Sequence, residues 1–261
     1  MGSPWGQGRY AVRVDWGARG AAELVGDGVV AVVVVDVLSF STAVSVAVER
    51  GIAVRPHDGP PGSAEVVAAM EGATCAVGRS AAREVGGVSL SPASIAAAEG
   101  VSRLVLPSPN GSAISARLAE AGVAVAAGCL RNSAAVARWL GGVDGPVGLV
   151  AAGERWEDGS MRPAAEDQVG VGAVLEGLAA LGAGRTASPE ATAAWAAFKG
   201  ARVQWPGWLH GCASGVELVE QGFGGDVVLA AEVDATAVVP VLKDGEFVGR
   251  PHRPGGASGR S

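Results

Sequence analysis

The stretch VVVVDVLSFSTAVSVAVERG, residues 32–51, decides the fold. Four valines in succession, with no polar alternation, mark a strand buried on both faces, which requires helices above and below a mostly parallel sheet. The apolar run stops at Asp36; Ser39, Ser41 and Thr42 follow, and a helical segment closes on Gly51. A buried acid without a partner is costly. In a parallel sheet, ligands bind beyond the carboxyl ends of the strands, at helix N-termini whose free N–H groups favour anions. An acid placed there would repel such a ligand, so Asp36 points to a bound cation or a covalent role. The alternative is a cap on the Ser41–Thr42 turn.

The same grammar extends along the chain. Short β-branched runs predict strands at 10–14, 29–37, 52–56, 74–77, 103–106, 123–127, 147–152, 226–231 and 236–242. Ala-rich segments predict helices at 42–50, 62–71, 92–98, 111–121, 133–140, 164–181, 189–199 and 214–221. The alternation gives an α/β protein, three-layer α/β/α, with a largely parallel or mixed sheet. STAVSVAVERGIAV (41–54) lines up with GSAISARLAEAGVAV (111–125), and CLRNSAAVARWL (129–140) repeats the helix start. These echoes allow two intertwined similar lobes within one domain, 9–249. Residues 1–8 and 250–261 are rich in Gly, Pro and Ser and are expected to be disordered tails.

Bulk composition removes several function classes. The chain has 261 residues, is 49% hydrophobic and carries a formal charge of −6 without a Lys/Arg cluster, so it offers no field for nucleic acid. No apolar run reaches the roughly 18 residues that span a bilayer. The N-terminus lacks the apolar core of a signal peptide, and a cytoplasmic location is expected. Cys75, Cys129 and Cys212 are scattered and read as free thiols. Nucleophile-elbow, Walker, dinucleotide and HExxH patterns are all missing.

Two further strand ends carry polar residues. In LPSPNGSAIS (106–115), Asn110–Gly111 signals a turn and Ser112 an N-cap, with prolines on both sides of Ser108 stiffening the loop. In AAGERWEDGSMRPAAEDQVGVGAVL (151–175), a strand ends at Gly153 and Glu166–Asp167 open a long helix. Acids in a first helical turn offset the dipole; two adjacent carboxylates also suit Mg²⁺, which takes one or two carboxylates plus waters and substrate oxygens. Arg155 and Arg162 in that loop could pair with an acidic substrate.

The segments VVVVDVLSFST, LSPASI, LVLPSPNGSAI, GCLRNSAAVA, VGLVAAG with AAEDQVGVG, and HGCASGVELVEQGFGGDV with AVVPVL, in that order, resemble the 2-phosphosulfolactate phosphatase family over most of residues 10–245. The resemblance implies Mg²⁺-dependent hydrolysis of a small acidic phosphate monoester, 2-phosphosulfolactate or a related phosphorylated hydroxy acid, to the alcohol and phosphate. It matches Asp36 to the family aspartate, Asn110, Gly111 and Ser112 to its Asn-Gly-Thr turn, Glu166–Asp167 to its Glu-Asp pair, and Asn132 to an asparagine that opens a helix. Three positions depart from it: Ser39 stands where the family has an arginine, Leu90 where it has an asparagine, and Pro107–Pro109 where it has a Thr-rich run. The change at Ser39 removes a cation from beside the anion pocket and widens the range of phosphorylated acids to consider.

The expectation is therefore a phosphatase with Asp36 and Asn110 as catalytic residues. Ser41, Thr42, Gly111, Ser112 and Asn132 would bind the phosphate, and Asp36, Glu166 and Asp167 would hold Mg²⁺. Asp36 could attack phosphorus or position a water. The partner expected is a small phosphorylated anion, with neither nucleic acid nor membrane and with a homodimer left open. A non-catalytic anion-binding protein, or another metal-dependent hydrolase or lyase on the same fold, is the competing reading.

Overall fold

In the computed structural model, which describes residues 3–182 and 184–251, the valine run lies in the middle of one parallel block of a nine-stranded sheet. The strands are β1 (Val12–Trp16), β2 (Ala31–Val35), β3 (Ala53–Pro56), β4 (Thr74–Cys75), β5 (Arg103–Leu106), β6 (Ala124–Gly128), β7 (Val147–Ala151), β8 (Glu154–Arg155), β9 (Met161–Arg162), β10 (Val238–Lys243) and β11 (Glu246–Pro251). The α-helices are α1 (Gly17–Gly26), α2 (Phe40–Glu49), α3 (Ser63–Glu71), α4 (Arg79–Val85), α5 (Pro92–Ala97), α6 (Gly111–Glu120), α7 (Ser133–Gly141), α8 (Ala165–Ala180), α9 (Pro189–Ala201), α10 (Gly207–Gly211), α11 (Ala213–Glu220) and α12 (Gly224–Ala230).

Every residue of β2 is buried, as an unalternating run demands. Its side chains still divide by pleat. Val33 and Val35 join a core with Leu140 of α7, Val171 and Val174 of α8 and Phe198 of α9. Val32 and Val34 pack with Leu24 of α1, Val44 of α2, and Ile114 and Leu118 of α6. The sheet is thus covered on both faces, and the three-layer α/β/α architecture follows.

The strand order β1-β7-β2-β6-β10-β11-β3-β5-β4 contains two parallel blocks, β1-β7-β2-β6 and β3-β5-β4, joined by the antiparallel β10–β11 hairpin. The chain leaves the first block after β2, builds the second, and returns for β6 and β7, so the blocks are intertwined within one sheet. Both junctions beside the hairpin are antiparallel and pair one residue each, Val241 with Ala126 and Phe247 with Val54. The blocks therefore run in opposite senses along the strand order. Loops from the two blocks nevertheless meet, since the Gly111 N–H, after β5, donates to the Asp36 carboxylate, after β2.

Several segments differ from the sequence reading. Residues 226–231, expected as a strand from GDVVLA, instead form α12 up to Ala230 with Ala231 as its C-cap, and Asp226 is buried at the first turn and draws bonds from other elements. Tertiary contacts override the β-propensity of two valines there. Helices α1, α4 and α10 and strand β11 were not foreseen. Residues 3–8, expected as a tail, fold: Ser3 caps the turn Pro4–Gly6, and Arg13 Nη1 donates to the Gly6 carbonyl at 2.9 Å. At the other end Arg250 and Pro251 belong to β11, and 252–261 lie outside the described residues. Among the described residues no helix is long and apolar enough to cross a membrane.

Candidate active site

Asp36 follows the last residue of β2, is 5% exposed, and is held by two helix N-termini. The Phe40 N–H of α2 donates to Oδ1 at 3.0 Å, and the Gly111 N–H of α6 donates to Oδ2 at 3.1 Å. These two donors explain why a carboxylate can end a buried strand. Asp36 is itself the anion that the helix N-termini accept. Gly111 is required at this contact, because a Cβ there would stand 2.1 Å from Cδ1 of Phe40.

Asp167, 3% exposed in the first turn of α8, stitches two strand-end loops to the helix. Its Oδ1 accepts the Val37 N–H at 2.7 Å and its Oδ2 the Gly153 N–H at 2.9 Å. Beside it Glu166 is 2% exposed. A fourth acid, Glu154 of β8, completes the group, and its Oε2 accepts a hydrogen bond from Asn110 Nδ2 at 3.0 Å. Arg155 fixes Asn110 in turn, through Nε to Asn110 Oδ1 at 3.1 Å and Nη2 to the Pro109 carbonyl at 2.9 Å.

Crowding four acids in a poorly solvated space opposes their ionisation. Burial first, then the Glu154 charge, pushes the Asp36 carboxyl up to about 7, against the two N–H donors that pull it down. Burial, followed by the charges of Asp36 and Glu166, raises Asp167 well above the usual range. Glu154 is raised by burial and by Glu166, with Asn110 and Arg162 opposing. Behind them burial and Glu166 push the Cys212 thiol up to about 12, so it stays protonated. The four acids offer hard oxygen donors, and their mutual repulsion is what a hard dication would relieve. Among the described residues, no three His, Cys, Asp or Glu side chains close around one point, so such an ion would complete its shell with water and substrate oxygens.

A pocket of about 260 Å³ opens in front of this group, lined among others by Asp36, Ser39, Arg79, Ser108, Asn110 and Glu154. Of the residues expected to form the site, Asp36 and Asn110 stand on its wall. Glu166 and Asp167 do not line the pocket, but the Glu166 charge acts on Asp36 and Glu154, and the Asp36 and Glu166 charges act on Asp167. The other polar residues are turned to the main chain. Ser41 Oγ donates to the Val34 carbonyl at 2.8 Å and accepts the Asp36 N–H at 3.1 Å, and Thr42 donates to the Val37 carbonyl. Ser112, in the first turn of α6 and not its N-cap, donates to the Leu106 carbonyl and accepts the Ser108 N–H. Asn132 spans the Ala127 carbonyl and the Cys129 N–H. The repeated motif is one device used three times: a polar side chain at a helix start tied back to the preceding strand.

Two charged residues of the pocket, Glu154 and Arg79, are not among the expected site residues. Glu154 had a usable signal, since it lies three residues past the end of β7, in a strand-end loop like the one that carries Asp36. Arg79 had none: it comes from α4, and its Nη2 donates to Ser39 Oγ. A cation therefore does stand next to Ser39, delivered from a different part of the chain.

The family model described as 2-phosphosulpholactate phosphatase matches residues 22–245. No curated protein sequence matches the chain.

Proposed function

Because the chain belongs to the 2-phosphosulpholactate phosphatase family, we propose that it is a Mg²⁺-dependent phosphatase that hydrolyses 2-phosphosulfolactate or a related phosphorylated hydroxy acid. The observation that carries the reading is the convergence of Asp36, Asn110 and Glu154, from the loops after β2, β5 and β7, on one small pocket backed by Glu166 and Asp167. Asp36, Glu166 and Asp167 would hold the metal, as one or two direct carboxylate ligands with the remainder acting through water. When bound, Mg²⁺ would neutralise the phosphate and polarise its P–O bond.

The chain's own residues supply the proton chemistry. Glu154 lies on the pocket wall, its pKa is raised, and the Arg155–Asn110 pair orients it, as a general base should be oriented. A water oxygen bonds to phosphorus as the ester P–O bond breaks. One water proton passes to Glu154, which returns it to the departing alkoxide, so the products are the alcohol and inorganic phosphate. Asp36, locked by Phe40 and Gly111, sets the position of the phosphorus relative to that water.

The test is release of inorganic phosphate from a panel of phosphorylated hydroxy acids, with Mg²⁺ and with chelator. Turnover that needs Mg²⁺ and disappears in Asp36→Asn and Glu154→Gln is expected. Silence across the panel with Mg²⁺, with the same acids raising the melting temperature, would replace the enzyme by an anion-binding protein.

A further inference from the structure

The pocket lining holds two chemically different bonded groups, Asn110 with Glu154 and Arg79 with Ser39. The charge of Glu154 acts on Asp36, which joins the first group, and among the described residues Arg79 is the one cationic residue in the lining. Such an arginine could be neutralised and inert, or held ready for a ligand. The bonds decide between these. Arg79 Nε donates to Asp226 Oδ2 at 2.9 Å, and Nη2 donates to Ser39 Oγ, a neutral partner. Among the described residues Nη1 has no hydrogen-bond partner. Asp226 is 1% exposed and is shared: Ser91 Oγ donates to its Oδ1, and the Ala93 N–H reaches the same oxygen at 3.2 Å. The Phe223 ring lies 5.6 Å from the guanidinium carbon. A buried carboxylate and an aromatic ring thus fix the plane of a guanidinium that is still 19% exposed and keeps donors unspent. This is the arrangement of an arginine preorganised for a planar or multi-oxygen anion.

We infer, resting on the phosphatase reading, that Arg79 binds a second anionic group of the substrate, a carboxylate or sulfonate, while the phosphate binds beside Asp36 and Glu154. Arg79 is then the residue that selects phosphorylated acids over phosphate esters of neutral alcohols. At about 260 Å³ the pocket is smaller than typical drug-sized sites, so the two anions must be separated by only a short carbon chain.

The experiment compares kcat/KM for 2-phospholactate (carboxylate), O-phosphoisethionate (sulfonate) and glycerol 2-phosphate (neither), in the wild type, Arg79→Ala and Arg79→Lys. The wild type should prefer at least one acid-bearing ester, and which one separates carboxylate from sulfonate recognition. Arg79→Ala should reduce that preference by about 10- to 100-fold, the size of one charge-assisted contact, mainly through KM. Arg79→Lys should restore part of it, since it keeps the charge and loses the fork. Ser39→Asp, which ties up the guanidinium without removing it, should erode the preference in the same direction and covers the case in which Arg79→Ala does not fold. An equal loss on all three esters would overturn the inference and assign Arg79 to the phosphate or the fold; so would a wild type without preference. If the wild type hydrolyses none of them with Mg²⁺, the phosphatase reading fails, and calorimetric binding of lactate and isethionate then judges Arg79 on its own. Binding that weakens about 10-fold or more in Arg79→Ala upholds the anion site, and no binding to the wild type overturns it.

Discussion

Replacing Asp36 by Asn separates the electrostatic role of this carboxylate from its shape. The side chain keeps its size, but Nδ2 now faces one of two N–H donors, Phe40 or Gly111, which sit 3.0 and 3.1 Å from the carboxylate oxygens. One buried donor is left unpaired, at a pH-independent cost of about 1–3 kcal/mol. Against this stands the charge that is removed. The Asp36 carboxyl is raised from 3.8 to about 7 by burial and by Glu154, so the unfolded chain releases its proton at lower pH than the folded chain does. Between those two values the unfolded state binds fewer protons, and stability falls as pH rises, levelling off above about 7. A shift of about 3 pH units corresponds to about 4 kcal/mol in total, of which about 3 kcal/mol is lost between pH 5 and 8. Asn cannot titrate, so this loss disappears from the variant.

The assay is thermal unfolding of the metal-free wild type and Asp36→Asn at pH 5 and pH 8. The variant should be the less stable at pH 5 and should gain on the wild type by about 3 kcal/mol by pH 8, or about 6–12 °C in Tm for a domain of this size. Phosphate release should be lost at both pH values. Parallel pH profiles for the two proteins, or near-normal turnover in the variant, would refute the account of Asp36.

Other consequences follow from the same geometry. Gly111→Ala pushes a methyl group into Phe40, where Cδ1 lies 2.1 Å away, and should cost at least about 1–3 kcal/mol by denaturant titration while weakening turnover through the displaced N–H. Ser41→Ala removes the bond to the Val34 carbonyl and strands the buried Asp36 N–H, for about 1–3 kcal/mol on the same titration. Glu154→Gln should abolish phosphate release yet raise stability at pH 8, because it removes a charge that faces Asp36 and Glu166; an unchanged rate would refute the base role. Mg²⁺ should raise Tm more at pH 8 than at pH 5.5, since protons compete for the raised carboxylates at the lower pH; an equal rise at both would place the ion elsewhere.

Much of this protein was legible in the chain. An unalternating valine run can only be a strand covered on both faces, and β2 is buried throughout. The end of that run, and the polar residues that follow it, located Asp36 and the strand-end loops. Elements with mixed signals were misread: GDVVLA has strand-like valines, but the buried Asp226 and its partners on α4 and α5 hold it as a helix. The hydroxyls of Ser41, Thr42 and Ser112 were read as ligands for an anion. Nothing local reveals that the preceding strand, for Ser41 and Ser112, and the Val37 loop, for Thr42, supply carbonyls within reach.

What the sequence determined by itself is everything set by neighbours along the chain: pleat, burial, the layered class, and an acid placed at a strand end. What only the tertiary structure decided is which strand ends meet. Asp36 and Gly111 are far apart in sequence and follow strands of different parallel blocks, and their contact exists only in the packed sheet. Arg79 reaches Ser39 only because Asp226, from near the other end of the chain, holds it there. Such contacts depend on how the closed chain packs, and no local pattern encodes them.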